Sequence, residues 1–390
     1  MTRITKETLD NIKKKYGVDI LWSWSRINTF QTSPFEYYLK YVLHKKGDND
    51  TCAYAPIGSL VHSCLEKYYS GEIRYEDMID EFEDGWITSI DIADLKFDRN
   101  DDAKNASIKE KYKYDIGHFL RHHNTIAGNV LVEKFVTADI EGNILQGYID
   151  AIVKDMDGKY CVIDFKTSTK FSSKQLEEKS GQLTVYAISL MQKGIPIDMI
   201  RIGFNMLKYC TIEYHQKNGA VKTRDVERCK IGESLQTNAK MWMKDAGYSE
   251  KETDECLKQL IDFNDISVLP KDIQDKYKMS DCYIWVPLTQ KLVDKWCNDI
   301  VVAINDINNR VAEYNKTQDE YIFWDSEDDV KKESYYFATL CEYSSAMHKP
   351  YAKYLETLEQ NADDNLFIGS SKTTTPKSND DDDLSWLNDI

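Results

Sequence analysis

Asp150 and the triplet Asp164-Phe165-Lys166 put two carboxylates and an amine at the ends of two adjacent apolar runs. The runs cover Ile144 to Val153 and Tyr160 to Phe165, and the polar segment Lys154-Asp155-Met156-Asp157-Gly158-Lys159 between them reads as a hairpin turn. Successive strand side chains face opposite ways, so Asp164 and Lys166 share one face and Phe165 takes the other. A charged pair at the end of a buried strand costs free energy unless partners or chemistry compensate. Two oxygen donors that hold a hard divalent cation, with a lysine beside them, activate water and stabilise charge on an attacked phosphate. The bland alternatives are a solvated strand end for Asp164, a turn cap for Asp150 and an ion pair to Asp150 for Lys166.

Two helical stretches bracket this hairpin. Gly58-Ser59-Leu60-Val61-His62 opens an amphipathic stretch to Tyr69 with His62 and Glu66 one turn apart, and Gln182-Leu183-Thr184-Val185-Tyr186 lies in a stretch to Met191. The order Gly-x-x-x-His, Gly-x-x-Asp, Asp-x-Lys, Gln-x-x-x-Tyr resembles the PD-(D/E)XK nuclease superfamily, specifically its RecB-like branch of CRISPR-associated and phage exonucleases. The resemblance runs from Ser23 to Leu207 and implies an α/β restriction-endonuclease-like core, a mixed sheet flanked by helices, with helical insertions. It implies hydrolysis of DNA with Mg²⁺ or Mn²⁺, with Asp150, Asp164 and Lys166 catalytic. The implied metal ligands are His62, Asp150, Asp164 and the Phe165 carbonyl, and an imidazole donor favours Mn²⁺.

Gln182 and Tyr186, at i and i+4, share a helix face that contacts DNA in the family. The alternative is a helix packed on the sheet with both polar groups at its exposed edge. Glu133 approaches the metals from the first strand or is a surface charge, and it stays outside the core set. The implied activity is an exonuclease that prefers single strands and processes DNA ends in replication, recombination or repair. A catalytically silent or regulated DNA-binding recombination partner is the alternative, and a scaffold with an accidental Asp-x-Lys is a third reading.

The 390 residues contain no apolar run of membrane-spanning length, and the N-terminus lacks an apolar signal core. The chain reads as cytoplasmic, in a host cytoplasm if phage-encoded. Its nine cysteines, scattered without C-x-x-C spacing, suit reduced thiols. The net charge of −16 sits awkwardly with a polyanionic substrate. Bound metal ions and local lysines such as Lys40, Lys45, Lys46, Lys166, Lys170 and Lys174 could still line a groove within an acidic whole.

The expected organisation is an N-terminal helix over 1–22, a nuclease core over 23–225 with a helical insertion at 71–129, a mostly helical part over 226–360, and a flexible acidic tail over 361–390. Ser33-Pro34 reads as a helix cap and first turn. In the RecB-like branch a cysteine that ligates an iron–sulfur cluster often precedes this proline. Here the position is Ser33 and Cys341 stands alone near the far end, so no cluster is expected. The core should run helix, three strands, helix, strand. The apolar stripe Leu292, Val293, Trp296, Ile300, Ala303, Ile304 and Ile307 reads as a core-facing helix. The tail's four consecutive aspartates, followed by Leu384, Trp386, Leu387 and Ile390, suit docking to a replication or recombination protein.

Overall fold

Capped helices and buried strands alternate through the computed structural model, which describes residues 4–49, 51–324, 336–353, 356, 359 and 360. The acidic tail and its docking role lie outside the described residues. Helix α1 (Lys6–Tyr16) starts at the Thr5 cap and stops at Gly17, whose φ of 67° favours glycine. The short strand β1 (Trp22–Ser23) leads into α2 (Trp24–Thr32). Ser33 and Pro34 then begin α3 (Pro34–Tyr37), the Ser33 hydroxyl accepting the Glu36 N–H, and the chain continues as a π-helical turn over Tyr38–Val42. Helix α4 (Tyr54–Tyr69) turns Ile57, Val61, Cys64 and Leu65 into the core at helical spacing. The insertion that follows contains α5 (Met78–Trp86) and α6 (Asp102–His122).

The sheet begins with β2 (Leu131–Ile140), β3 (Asn143–Lys154) and β4 (Tyr160–Lys166). Helices α7 (Ser173–Lys179) and α8 (Gly181–Met191) cross to β5 (Ile200–His215), which pairs parallel to β4. Next come β6 (Val221–Glu227), α9 (Ile231–Asp245), α10 (Glu250–Phe263), the single turn α11 (Lys271–Gln274), β7 (Tyr277–Val286) and α12 (Gln290–Thr317). The path β1-β3-β4-β5-β6 forms the sheet, with β2 joined to β3 and β7 to β5. This is the mixed sheet flanked by helices that the sequence resemblance implies. One difference is β7. It returns to the sheet from a region whose sequence reads as helical, because its pairing to β5 spans a long stretch of chain and leaves no local signature. Strand β5 runs from Ile200 to His215 without a break, although its pairing with β7 shifts between Asn205 and Cys210.

Helices cover both faces of the sheet. One core packs α4, α5 and α6 on β3 and β4 through Val61, Phe82, Ile116 and Phe165. A second buries Leu183, Ala187 and Leu190 of α8 and Trp296 of α12 against Ile149, Val162 and Phe204. Strand β4 reads as a continuous apolar run because it is covered on both sides. Helix α8 is apolar nearly all round for the same reason. The stripe on α12 faces the core as its spacing requires. Among the described residues no helix is long and apolar enough to cross a membrane.

A buried polar network ties the insertion to the sheet. Arg228 has no exposed surface; its Nε donates to the Leu207 carbonyl at 3.0 Å and a terminal nitrogen donates to Asp281 Oδ1 at 2.8 Å. Burial and the Arg228 charge push the His118 pKa down to about 3. Neutral His118 can therefore accept from Arg228 through Nδ1, 3.2 Å away. Asp281 Oδ2 lies 2.6 Å from His123 Nδ1, and His123 Nε2 lies 2.6 Å from the hydroxyl of Tyr69, the last residue of α4. Removing one partner leaves a charge buried and unpaired, so Arg228→Met is expected to cost about 3–5 kcal/mol. The double variant Arg228→Met/Asp281→Leu should cost less than the two single changes summed. Urea unfolding followed by circular dichroism checks this, and a loss below about 1 kcal/mol for Arg228→Met would mean that the network does not depend on this pairing.

Candidate functional site

The backbone of Phe165 organises the site. Its N–H donates to Asp150 Oδ2 at 2.9 Å, and its carbonyl accepts from His62 Nε2 at 2.8 Å. Asp150 arrives from β3 and His62 from α4, so the backbone of one β4 residue fixes two side chains from different elements. His62 Nδ1 also lies 3.6 Å from Asp150 Oδ2. The Phe165 ring points the other way, into the core beneath α4. Strand alternation thus places Asp164 and Lys166 together on the opposite face, where both line a cavity of about 510 Å³ with His62 and Asp150.

Lys166 Nζ lies 2.9 Å from Asp164 Oδ2. This ion pair still leaves that buried oxygen without a hydrogen bond among the described residues. Burial pushes the Asp150 pKa up to about 7, and the nearby Asp164 carboxylate adds to the rise, against the pull of His62 and Lys166. Burial lowers the pKa of His62, but the charges of Asp150 and Asp164 and the bond to the Phe165 carbonyl outweigh it and leave a net rise. His62 therefore sits where positive charge is electrostatically favoured.

Glu133, kept outside the core set on sequence alone, joins the site. One ligand atom each from His62, Glu133 and Asp150 lie within 4.8 Å of one another. The ladder between β2 and β3 pairs Val132 with Ala151 and Lys134 with Ile149, so Glu133 falls opposite Asp150. Its φ of 47° is left-handed, rare for a non-glycine residue within a strand and costing about 1–3 kcal/mol. Residues directly opposite in an antiparallel pair share a face, so the Glu133 carboxylate lies on the side of Asp150 and His62. No sequence signal marks it, because a glutamate in a strand is ordinary and the partner is brought by pairing.

Gln182 and Tyr186 line the same cavity, and the Gln182 amide donates to the Tyr186 hydroxyl at 2.9 Å. Tyr186 is buried rather than set on an exposed helix edge, and its ring lies against Gly147 so closely that a Cβ there would come within 2.9 Å of it. The glycine of Gly147-x-x-Asp150 therefore makes room for the tyrosine of Gln182-x-x-x-Tyr186. Gly181, the first residue of α8, makes room for Trp24 in the same way, since a Cβ there would fall 2.0 Å from the indole ring. Trp24 packs edge-on against Trp296 at 5.2 Å, and Trp296 Nε1 donates to Ser180 Oγ at 3.1 Å, which fixes the start of α8.

The donor set fits a divalent cation. Two carboxylates, an imidazole and the Phe165 carbonyl converge, and the Asp164 oxygen that lacks a hydrogen bond lies in the same cavity. Glu133→Gln removes one negative ligand and leaves the shape, so it is expected to weaken Mn²⁺ binding about tenfold or more. Calorimetric titration with Mn²⁺ measures it, and an unchanged affinity would leave Glu133 as a surface charge. A sequence model of the PD-(D/E)XK nuclease superfamily matches residues 21–319, and no curated protein matches the chain. That match covers most of the sequence, including every residue of this site, and the chain belongs to the PD-(D/E)XK nuclease superfamily.

Proposed function

We propose that the protein is a divalent-cation-dependent deoxyribonuclease of the RecB-like type, an exonuclease that processes DNA ends in replication, recombination or repair. The observation that carries this reading is the convergence of His62, Glu133 and Asp150 within 4.8 Å, beside the Asp164–Lys166 pair. The order of Gly58…His62, Gly147…Asp150, Asp164-x-Lys166 and Gln182…Tyr186 supports the RecB-like branch.

Mg²⁺ or Mn²⁺ held by His62, Asp150, Asp164, the Phe165 carbonyl and Glu133 would supply Lewis-acid stabilisation of the attacked phosphate. The chain's own groups do the rest. Lys166 holds a positive charge over the cavity, where it can orient an attacking water and offset charge gathering on phosphate oxygens. Asp164 anchors that ammonium at 2.9 Å and keeps it from swinging into solvent. The Gln182–Tyr186 pair presents an amide and a hydroxyl to the incoming backbone from the opposite wall. The nine cysteines are all free, which suits a reducing, cytoplasmic setting.

Labelled single- and double-stranded DNA, linear and circular, incubated with Mg²⁺, Mn²⁺ or EDTA, tests the reading. Loss of linear single strands with either metal, and none in EDTA, is the expected result. Lys166→Ala should lower cleavage by roughly 10²–10³-fold and Asp164→Ala should lower it further, both with unchanged far-ultraviolet circular dichroism. Wild-type turnover by either variant contradicts the assignment, and DNA binding without cleavage by the wild type would favour a silent binding partner.

A further inference from the structure

The cavity at the metal-binding groups is continued by another. A second cavity of about 740 Å³ adjoins it. Ser25 and Asn28 of α2 line both. Each volume suits a small ligand, but two that meet across one helix suit a polymer laid over it. The second wall carries the hydroxyls of Thr29, Thr32 and Ser59, the ring of Tyr41, and Lys40 and Lys46.

Charge in this groove is sparse. Lys40 is paired with Glu342 at 3.1 Å. Glu36 is buried, which raises its pKa against the hydrogen bond it accepts from Tyr336. Lys46 is exposed and has no carboxylate within ion-pair reach among the described residues. Tyr41 is braced from behind. Its ring lies 5.1 Å from Tyr37 and 5.2 Å from the Arg26 guanidinium, which in turn donates to the Tyr37 hydroxyl at 2.9 Å and lies 4.9 Å from the Trp22 ring.

A DNA duplex presents two charged rails on a convex surface, and proteins that grip it do so with many cations. This groove offers few, within a chain of net charge −16. A single strand instead turns base faces into a concavity, where an aromatic platform and neutral hydrogen bonds hold it. Resting on the nuclease reading above, we infer that the groove from Asp150 across Ser25 and Asn28 to Tyr41 and Lys46 holds the part of a single DNA strand beyond the cleavage centre. Stacking and neutral hydrogen bonds hold it there more than charge does.

Fluorescence anisotropy with labelled oligothymidylates of about 4 and about 12 nucleotides, and with a duplex of the longer length, tests this on the Asp164→Ala protein in Mg²⁺. The longer strand is expected to bind about tenfold or more tighter than the shorter one, and tighter than the duplex. Tyr41→Ala should remove most of that gain and the exposed-site variant Lys46→Glu a smaller part, with circular dichroism unchanged. The slope of log K against log salt should lie near about −1.4, the value for about two phosphate contacts on a single strand. Preference for the duplex, a slope steeper than about −4, or full length dependence in both variants would overturn the inference. Wild-type cleavage is read on the same strands. Length dependence without any cleavage removes the nuclease reading and supports the groove, whereas cleavage without length dependence removes the groove alone.

Discussion

The Phe165 backbone holds His62 and Asp150 in place, one through its carbonyl and one through its N–H. Neither side chain could be fixed this way by its own element. Strand β3 delivers Asp150 at a position where its backbone already pairs with β4 only as far as Ala151 and Ile163. The Asp150 carboxylate therefore takes over from the ladder and caps a free N–H of β4. Helix α4 delivers His62 from above, and its far end is fixed through Tyr69 to the buried His123–Asp281–Arg228 network. A displacement of α4 along its axis would break the His62 bond near its middle and the Tyr69 bond at its end. One helix thus contacts both the polar network in the insertion and the site on the sheet.

Burial makes this arrangement electrostatically demanding. Asp150, Asp164 and Glu133 gather carboxylates around one cavity, and Lys166 opposes their charge. The raised pKa values of Asp150 and His62 are two faces of one fact: the protein holds extra protons where a divalent cation would fit. The left-handed backbone of Glu133 belongs to the same pattern, since strain is kept only where surrounding pairing overrides it. A cation bound there would offset the carboxylates of Asp150, Asp164 and Glu133, which is what the proposed reading requires of a chain of net charge −16.

What can be read in the sequence is whatever depends on neighbours along the chain. The β3–β4 hairpin, the shared face of Asp164 and Lys166, the Ser33–Pro34 helix start and the stripe on α12 all rest on short-range periodicity or capping. Asp150, Asp164, Lys166, His62, Gln182 and Tyr186 meet in one cavity as their order along the chain suggests. What cannot be read depends on pairing over long separations. Glu133 meets Asp150 only through the β2–β3 register, and a φ of 47° has no residue-type signature in a glutamate. Strand β7 alternates weakly and joins β5 from far along the chain. Asp281, Arg228, His118 and His123 look like ordinary surface residues until the fold buries them together. The burial of Tyr186 cannot be read locally either, because burial of α8 on all sides is a property of the sheet beneath it and of Gly147 opposite.

Anomalous diffraction from crystals equilibrated with Mn²⁺ tests most directly whether these groups form a cation site built on the Phe165 backbone. The expected result is a strong peak within coordination distance of Asp150, Asp164, Glu133, the Phe165 carbonyl and His62, with the hydrogen bond from His62 to that carbonyl replaced by two bonds to the ion. A peak elsewhere, or an ion near Asp150 with the His62–Phe165 hydrogen bond intact, would contradict it.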